Sequence, residues 1–514
     1  MNSKRILAAI GIFVSVLYGR YARAAEPAQK PNIVLIMVDD MGFADLGCYG
    51  GEIRTPNIDA LAKNGAHWRN FYNCAQCCPT RTSLMSGLYP HQVGVGEMID
   101  PSSKAIRDAA NTPAYTDHLD TKAKTMAEVL KAANYQTYMV GKWHLGYGDG
   151  HRPKQRGFDR YFGIIAGADN YWKPTTLRSE DEPVKKVSTD FYTTDDFTTK
   201  AIEFIEKGDD KKPFFLYAAY NAPHTPFQAR DEDIEKYKGT YNVGWDTIRE
   251  SRFTRQKELG FWPKDMKLSP HMMPDAKWIG SEAQRKTVER MQIYAAMVDR
   301  VDQNVGRIVE VLKKSGRIDN TLILFLSDNG AWASPTAYGR EWAETGNTPY
   351  RLYKVHVHEG GSCTPLIAHW PNGIPKSELN TRAYGHVKDI MATCMEAAGV
   401  SCPSKESRSL MKQLRDPAIA EDTPLFWERR GHEAMREGPW KLVRCFNSPA
   451  GENVNGDNKG KRLGAWELYN LPLDPAECND LAANNPERVR AMADRHADWF
   501  KRIGGVDREL INRK

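Results

Sequence analysis

A chain of 514 residues is long enough to bury a large core, and its nine cysteines are too few for a disulfide scaffold, so packing has to hold the fold. The formal charge is +6, and removing the first 24 residues, with Lys4, Arg5, Arg20 and Arg23 and no acid, would lower it to +2. A nearly neutral mature chain excludes an electrostatic case for nucleic acid or an anionic membrane, and no later segment is apolar enough to be inserted stably in a bilayer.

In chain order, Lys4 and Arg5 precede the apolar run Ile6 to Leu17 and then Ala22-Arg23-Ala24, the three parts of a secretory signal peptide over residues 1–24. An exported protein, periplasmic or secreted, is expected. Strand-like and helix-like segments then alternate: Asn32–Val38, a helix near Ile58–Ala62, Thr125–Ala133, Tyr135–Val140, Pro213–Tyr220, a long helix near Val288–Lys314, Thr321–Leu326 and Pro365–Trp370. This order predicts an α/β fold, and the continuously apolar strands predict a mostly parallel central sheet covered by helices on both faces. Between them, Gln228–Gly280 has an irregular composition with several Trp and is read as a long loop insertion near the site. From Ser407 the pattern changes to short strands, Pro424–Glu428, Ala434–Cys445 and Glu467–Leu471, and a final helix Pro486–Arg502. Residues 25–406 are thus expected to form a catalytic domain and 407–514 a smaller α+β subdomain.

In open sheets of this kind ligands collect at the carboxyl ends of strands. Two apolar strands end there in Asp39-Asp40 and Asp328-Asn329, each followed by Gly within two residues. Singly, such pairs also cap helices and turns. Together they offer the carboxylate and amide oxygens that calcium, or magnesium as the other hard cation, prefers. Cys77-Cys78-Pro79-Thr80-Arg81 places a helix start at Pro79–Thr80, so position 77 lies beside a helix N-terminus that favours an anion. Cys74 and Cys77 form a C-x-x-C that would also suit a redox pair or half a zinc site, but no second such pair occurs and the Pro-Thr-Arg would be unexplained.

The run from Cys77 through Arg81 to Gly87 resembles the sulfatase signature, in which a maturation enzyme oxidises the first Cys to formylglycine. The block Tyr135-x-Thr137 followed by Gly141-Lys142-Trp143-His144 resembles the second signature, and Gly438–Val443 with Trp466–Pro475 resembles the sulfatase carboxy-terminal subdomain. The chain is therefore similar to type I sulfatases of the alkaline phosphatase superfamily from Pro31 to about Ala482. The resemblance implies an alkaline-phosphatase-like fold, calcium on Asp39, Asp40, Asp328, Asn329 and an oxygen of formylglycine derived from Cys77, and hydrolysis of a sulfate ester. A hydrated aldehyde has two hydroxyls, one to attack sulfur and one to re-form the carbonyl and expel sulfate; serine would stall at the second step.

The resemblance assigns further roles. Lys142 would hold the sulfate or the formylglycine hydroxyl, and His144 would take that hydroxyl's proton. His224, between Pro223 and Pro226, would protonate the leaving oxygen, and Lys354, before Glu359-Gly360-Gly361, would be the second sulfate-binding lysine. Arg81 would add to the stabilisation of a dianionic transition state. Two departures stand out: Thr80 replaces the commoner Ser, and Ser362-Cys363-Thr364-Pro365 lacks the Arg of many relatives.

Several readings stay open. His356 and His358 offer a zinc-like i, i+2 pair that only Glu359 could complete, and Cys394 and Cys402 could pair or remain free thiols. Trp172, Trp245, Trp262 and Trp278 could stack on sugars or anchor the core and loops. A formylglycine phosphonate monoester hydrolase or phosphodiesterase, and a non-catalytic secreted glycan-binding protein, are the rival functions. The expected substrate is a sulfated carbohydrate, with aryl sulfates as surrogates; oligomeric state is not legible.

Overall fold

A computed structural model describes residues 29–271, 277–334, 336–377, 379–445 and 464–512. The signal-peptide reading of residues 1–24 lies outside them. The apolar runs become strands of one large sheet. Its members are β1 (Asn32–Val38), β2 (Ala66–Tyr72), β3 (Gln136–Gly141), β4 (Arg160–Ile164), β5 (Leu177–Ser179), β6 (Glu182–Pro183), β7 (Phe214–Ala219), β8 (Thr321–Ser327), β9 (Leu366–His369) and β10 (Asn380–His386). They lie in the order β10-β2-β9-β8-β1-β7-β3-β4-β5-β6. The run β8-β1-β7-β3-β4 is parallel throughout, while β9 and β5 run antiparallel to their neighbours.

Every residue of β7 and β8 is buried, as expected of strands covered on both faces. Residues alternating along β1 divide between two cores. Val34, Ile36 and Val38 join the layer under the long helix Glu282–Lys314, and Ile33, Leu35 and Met37 join the layer under Met126–Ala132 and Asp389–Ala397. The second sheet, β11 (Leu425–Arg429), β12 (His432–Glu437), β13 (Trp440–Arg444) and β14 (Glu467–Asn470), is an antiparallel meander backed by the helix Pro486–Arg502. The expected strand Ala434–Cys445 is two strands, because Gly438 turns at a positive φ of 55°.

One expectation is corrected, and one open reading is decided. The stretch 228–280 is not a structureless loop: it carries the helices Asp231–Glu235 and Trp245–Glu258, and Trp245 and Trp262 are buried core residues. The helix was hidden because its inward face includes Arg249, Arg252 and Gln256, which hydropathy assigns to solvent. Arg252 bonds Asp45 at 2.6 Å and Glu52 at 2.7 Å, so the insertion braces the loop that follows β1. Cys394 and Cys402 are free thiols.

Candidate active site

The β1–β8 register that sets Val38 beside Ser327 brings Asp39-Asp40 and Asp328-Asn329 together at one rim of the sheet. The Asp40 N–H donates to Asp328 Oδ1 at 3.3 Å, and Asn329 Nδ2 donates to Asp40 Oδ1 at 2.7 Å. On the other side of β1, β3 ends at Gly141 with φ 96°, where a Cβ would lie 1.9 Å from the Ala219 carbonyl oxygen. Only glycine fits that approach, and it aims Lys142 and His144 at the same rim. His224 follows β7 between the cis peptides Ala222–Pro223 and Thr225–Pro226, with Nε2 3.6 Å from Asp40 Oδ2.

The helix of the first motif starts at Cys77, two residues earlier than expected, so Cys77 is itself the first helical residue. Its preceding residue is fixed from the second sheet: Arg429 donates to the Gln76 side chain and to Glu97. Within the helix Arg81 donates to Asp328 Oδ2 at 2.8 and 3.0 Å and to the Lys142 carbonyl at 3.1 Å. Lys142 donates to Asp39 Oδ2, and Lys354 to Asp40 Oδ1 at 2.6 Å. Arg81, Lys142, Lys354, His144 and Cys77 are all buried.

Asp39 Oδ1, Asp40 Oδ2 and Asn329 Oδ1 are buried oxygens with no hydrogen-bond partner. Leaving such an atom dry and unpaired costs about 1–3 kcal/mol, and three together at one rim fit the donor set of a hard divalent cation. Donor atoms of Asp39, Asp40 and His224 also lie within 4.8 Å of one another. Titration carries the same message. Burial and the neighbouring Asp39 push the Asp328 carboxyl up to about 8, whereas Asp39, although burial opposes it, is held well below the usual carboxylate range by Lys142, His224 and Arg81. Two buried carboxylates side by side resist ionising together, a conflict that a divalent cation relieves.

Position 77 is tuned as well. Burial would raise the Cys77 thiol, yet Lys142, Lys354 and His144 bring it down to about 5, so the site stabilises negative charge where a nucleophile would stand. His144 is raised above its ordinary value, burial being outweighed by Cys77 and Asp100. Its Nε2 lies 3.1 Å from Asp100 Oδ2, and Tyr147 donates to Asp100 Oδ1 at 2.8 Å, while His144 Nδ1 has no partner. Asp100 escaped the sequence reading because nothing around Asp100-Pro101 marks it; only the fold brings it to His144.

All ten residues singled out in the sequence, Asp39, Asp40, Cys77, Arg81, Lys142, His144, His224, Asp328, Asn329 and Lys354, meet at this rim. Glu359 does not: it accepts from Lys441 and Tyr72, so it cannot complete a metal set with His356 and His358. Of the four tryptophans, Trp245 and Trp262 are core residues, and Trp172 and Trp278 are half-buried against the core. Trp172 packs on Tyr192 at 4.6 Å between ring centroids, and Trp278 on Trp245 at 4.9 Å.

Residues 31–400 match the family model described as Sulfatase, which covers well over half of the chain. The chain belongs to the sulfatase family. This sulfatase is 33% identical to the arylsulfatase of Klebsiella aerogenes, over 82% of its own length and 96% of the relative's. It is 30% identical to an uncharacterized sulfatase of Schizosaccharomyces pombe, over 90% and 92% of the two chains. Among solved structures, Ps i-CgsB in complex with k-i-k-neocarrahexaose superposes with a TM-score of 0.68 at 29% identity, covering 92% of this chain and 93% of that one. The protein is a type I sulfatase of the alkaline phosphatase superfamily, and thus a sulfuric ester hydrolase. No helix among the described residues is long and apolar enough to cross a membrane.

Proposed function

We propose that the enzyme hydrolyses sulfate esters of carbohydrates through formylglycine at position 77 and a calcium ion, after export and maturation by a formylglycine-generating enzyme. The observation that carries this reading is the set of three unpartnered buried oxygens facing a position 77 at which four basic side chains favour negative charge. Oxygens of Asp39, Asp40, Asp328, Asn329 and residue 77 would hold the cation, which when bound polarises a sulfate oxygen. Formylglycine supplies a geminal diol, one hydroxyl for attack at sulfur and one for carbonyl formation.

The chain's own residues do the rest. Lys142 and Lys354 stay protonated beside Asp39 and Asp40 and offset the charge that builds on the sulfuryl oxygens. Arg81 spans Asp328 and the Lys142 carbonyl and so fixes both strand ends. His144 takes the second hydroxyl proton, its ring oriented by Asp100. His224, with 16% of its side chain exposed, is the most open of these groups and protonates the departing oxygen. A saccharide as the alcohol half is supported by Ps i-CgsB, a relative solved with k-i-k-neocarrahexaose. Residues 25–406 would form the catalytic domain and 407–514 the subdomain that secures Gln76. Release of sulfate from defined sulfated oligosaccharides, run beside an aryl sulfate and an aryl phosphodiester, tests the reading. Faster turnover of the phosphodiester would overturn it.

A further inference from the structure

Two residues beyond Lys354, the chain makes a second polar cluster that the sulfatase chemistry does not use. His356 and His432 are both buried, and their rings meet edge to face with centroids 4.8 Å apart. Cys445, half-buried at the end of β13, completes a triad in which one donor atom from each residue lies within 4.8 Å of the other two. Two imidazoles and a thiol are the donors that a borderline-soft cation selects, in contrast to the oxygens at the strand ends. The buried His356 Nδ1 has no hydrogen-bond partner.

The sulfur has polar contacts of its own. His358 Nδ1 lies 3.7 Å from Cys445 Sγ, and its Nε2 lies 3.3 Å from Glu467 Oε2. Tyr469 donates to the same Glu467 oxygen at 2.6 Å. A Tyr–Glu–His relay ending at the sulfur is the kind of outer contact that orients ligands in metal sites. Zinc with Zn–S and Zn–N distances of about 2.3 and 2.0 Å needs donors roughly 3.3–3.5 Å apart in a tetrahedron, so the triad has to close by at most about 1.5 Å.

We propose that His356, His432 and Cys445 form a second metal site, for Zn²⁺, that ties the segment carrying Lys354 to the carboxy-terminal sheet. On binding, Cys445 releases its thiol proton to solvent and both imidazoles bind as neutral donors. His356 comes from the loop whose Val355 N–H donates to Ala75 O, and His432 opens β12 beside Arg429, which holds Gln76. The cation therefore joins the two segments that hold Ala75 and Gln76, just ahead of position 77. This site is independent of the sulfatase chemistry, and its test does not read activity.

The test uses the full chain as the Cys77→Ala variant, which removes the thiol nearest the oxygen-rich site, with calcium in excess. Titration with Co²⁺ should show one ion per chain with an intense near-ultraviolet thiolate charge-transfer band and the visible bands of a tetrahedral site, all displaced by Zn²⁺. Cys445→Ser in that background should abolish the charge-transfer band. His432→Ala should weaken binding by more than the roughly 10- to 100-fold that loss of a mere outer contact costs. Zn²⁺ should raise the melting temperature of the Cys77→Ala protein and leave the Cys77→Ala/Cys445→Ser protein unchanged. Absence of a thiolate band in Cys77→Ala, or a band that survives Cys445→Ser, overturns the proposal. Because the Cys77→Ala protein is itself the principal sample, a variant that fails to fold cannot shield it.

Discussion

One short segment, from Lys354 to Glu359, feeds two clusters of buried charge that handle it in opposite ways. Lys354 reaches the strand-end site, where Asp39 Oδ1, Asp40 Oδ2 and Asn329 Oδ1 have no partner. Glu359 reaches the junction with the second sheet, where Oε1 accepts from Lys441 at 2.7 Å and Oε2 from Tyr72 at 2.8 Å. Glu477 joins them, 3.1 Å from Lys441 and accepting the Glu359 N–H at 2.7 Å. Both clusters carry the desolvation cost of buried ions. The junction offsets it with Lys441 between its two carboxylates, and the oxygen there without a hydrogen bond, Glu477 Oε1, lies 3.1 Å from that ammonium, whereas at the strand-end site three oxygens without hydrogen bonds converge. Neither burial of charge nor a lone unpaired acceptor marks function; several such oxygens meeting at one rim do.

The largest contrast comes from removing one member of each cluster. Asp328→Ala should lose bound calcium, measured by elemental analysis, and at least on the order of 10³-fold in kcat/KM, the several kcal/mol that a cation contributes. Lys441→Met should instead destabilise the fold by about 3–5 kcal/mol, since it strands two buried carboxylates, while the protein that remains folded keeps its kcat. Chemical denaturation beside active-site titration separates the two outcomes. Loss of kcat in Lys441→Met with unchanged stability would erase the distinction.

Within the strand-end site the two histidines sharpen the picture. His224→Ala should slow esters of sugar alcohols far more, on the order of 10²-fold or greater, than a nitrophenyl sulfate that departs unaided. His144→Ala should give a burst of phenol followed by slow turnover, because its work comes after the alcohol has left. Pre-steady-state kinetics on both ester types decides this, and equal losses for His224→Ala with no burst for His144→Ala would reverse the assignment.

The smallest effect, taken per pH unit, is a pH dependence at buried His386. His386 is fully buried, and burial together with Lys388 lowers it to about 3 from 6.5. Its Nδ1 accepts the Lys388 N–H at 3.2 Å, a bond that the protonated ring would lose. The ring stays neutral when folded but takes a proton when unfolded below 6.5, so its contribution is complete above pH 6.5 and is lost as pH falls toward 3. Stability should decline there by about 1 kcal/mol per pH unit from this group, and His386→Gln should flatten that part of the profile.

The parallel core was legible because β1, β7 and β8 are unbroken apolar runs, and the strand-end acids were legible because they interrupt such runs abruptly. Strands β2 and β10, with Arg69, Asn70, Asn380 and Arg382 among their residues, gave no such signal. Lys142, His144 and Lys354 were legible through the motifs that contain them. Asp100 and the junction cluster were not, since Lys441, Glu477, Tyr72 and Glu359 are distant in sequence and each alone reads as a surface or core residue. Contacts made only by folding leave no local periodicity to read.

The central claim is that position 77 is the nucleophile as formylglycine. Mass spectrometry of the peptide containing residues 77–81, on preparations of graded specific activity toward one sulfate ester, tests it most directly. The account predicts an aldehyde in place of the Cys77 thiol, in a fraction that rises in proportion to activity and is absent from an inactive Cys77→Ala protein. A fully active preparation whose peptide carries only the intact thiol would contradict it.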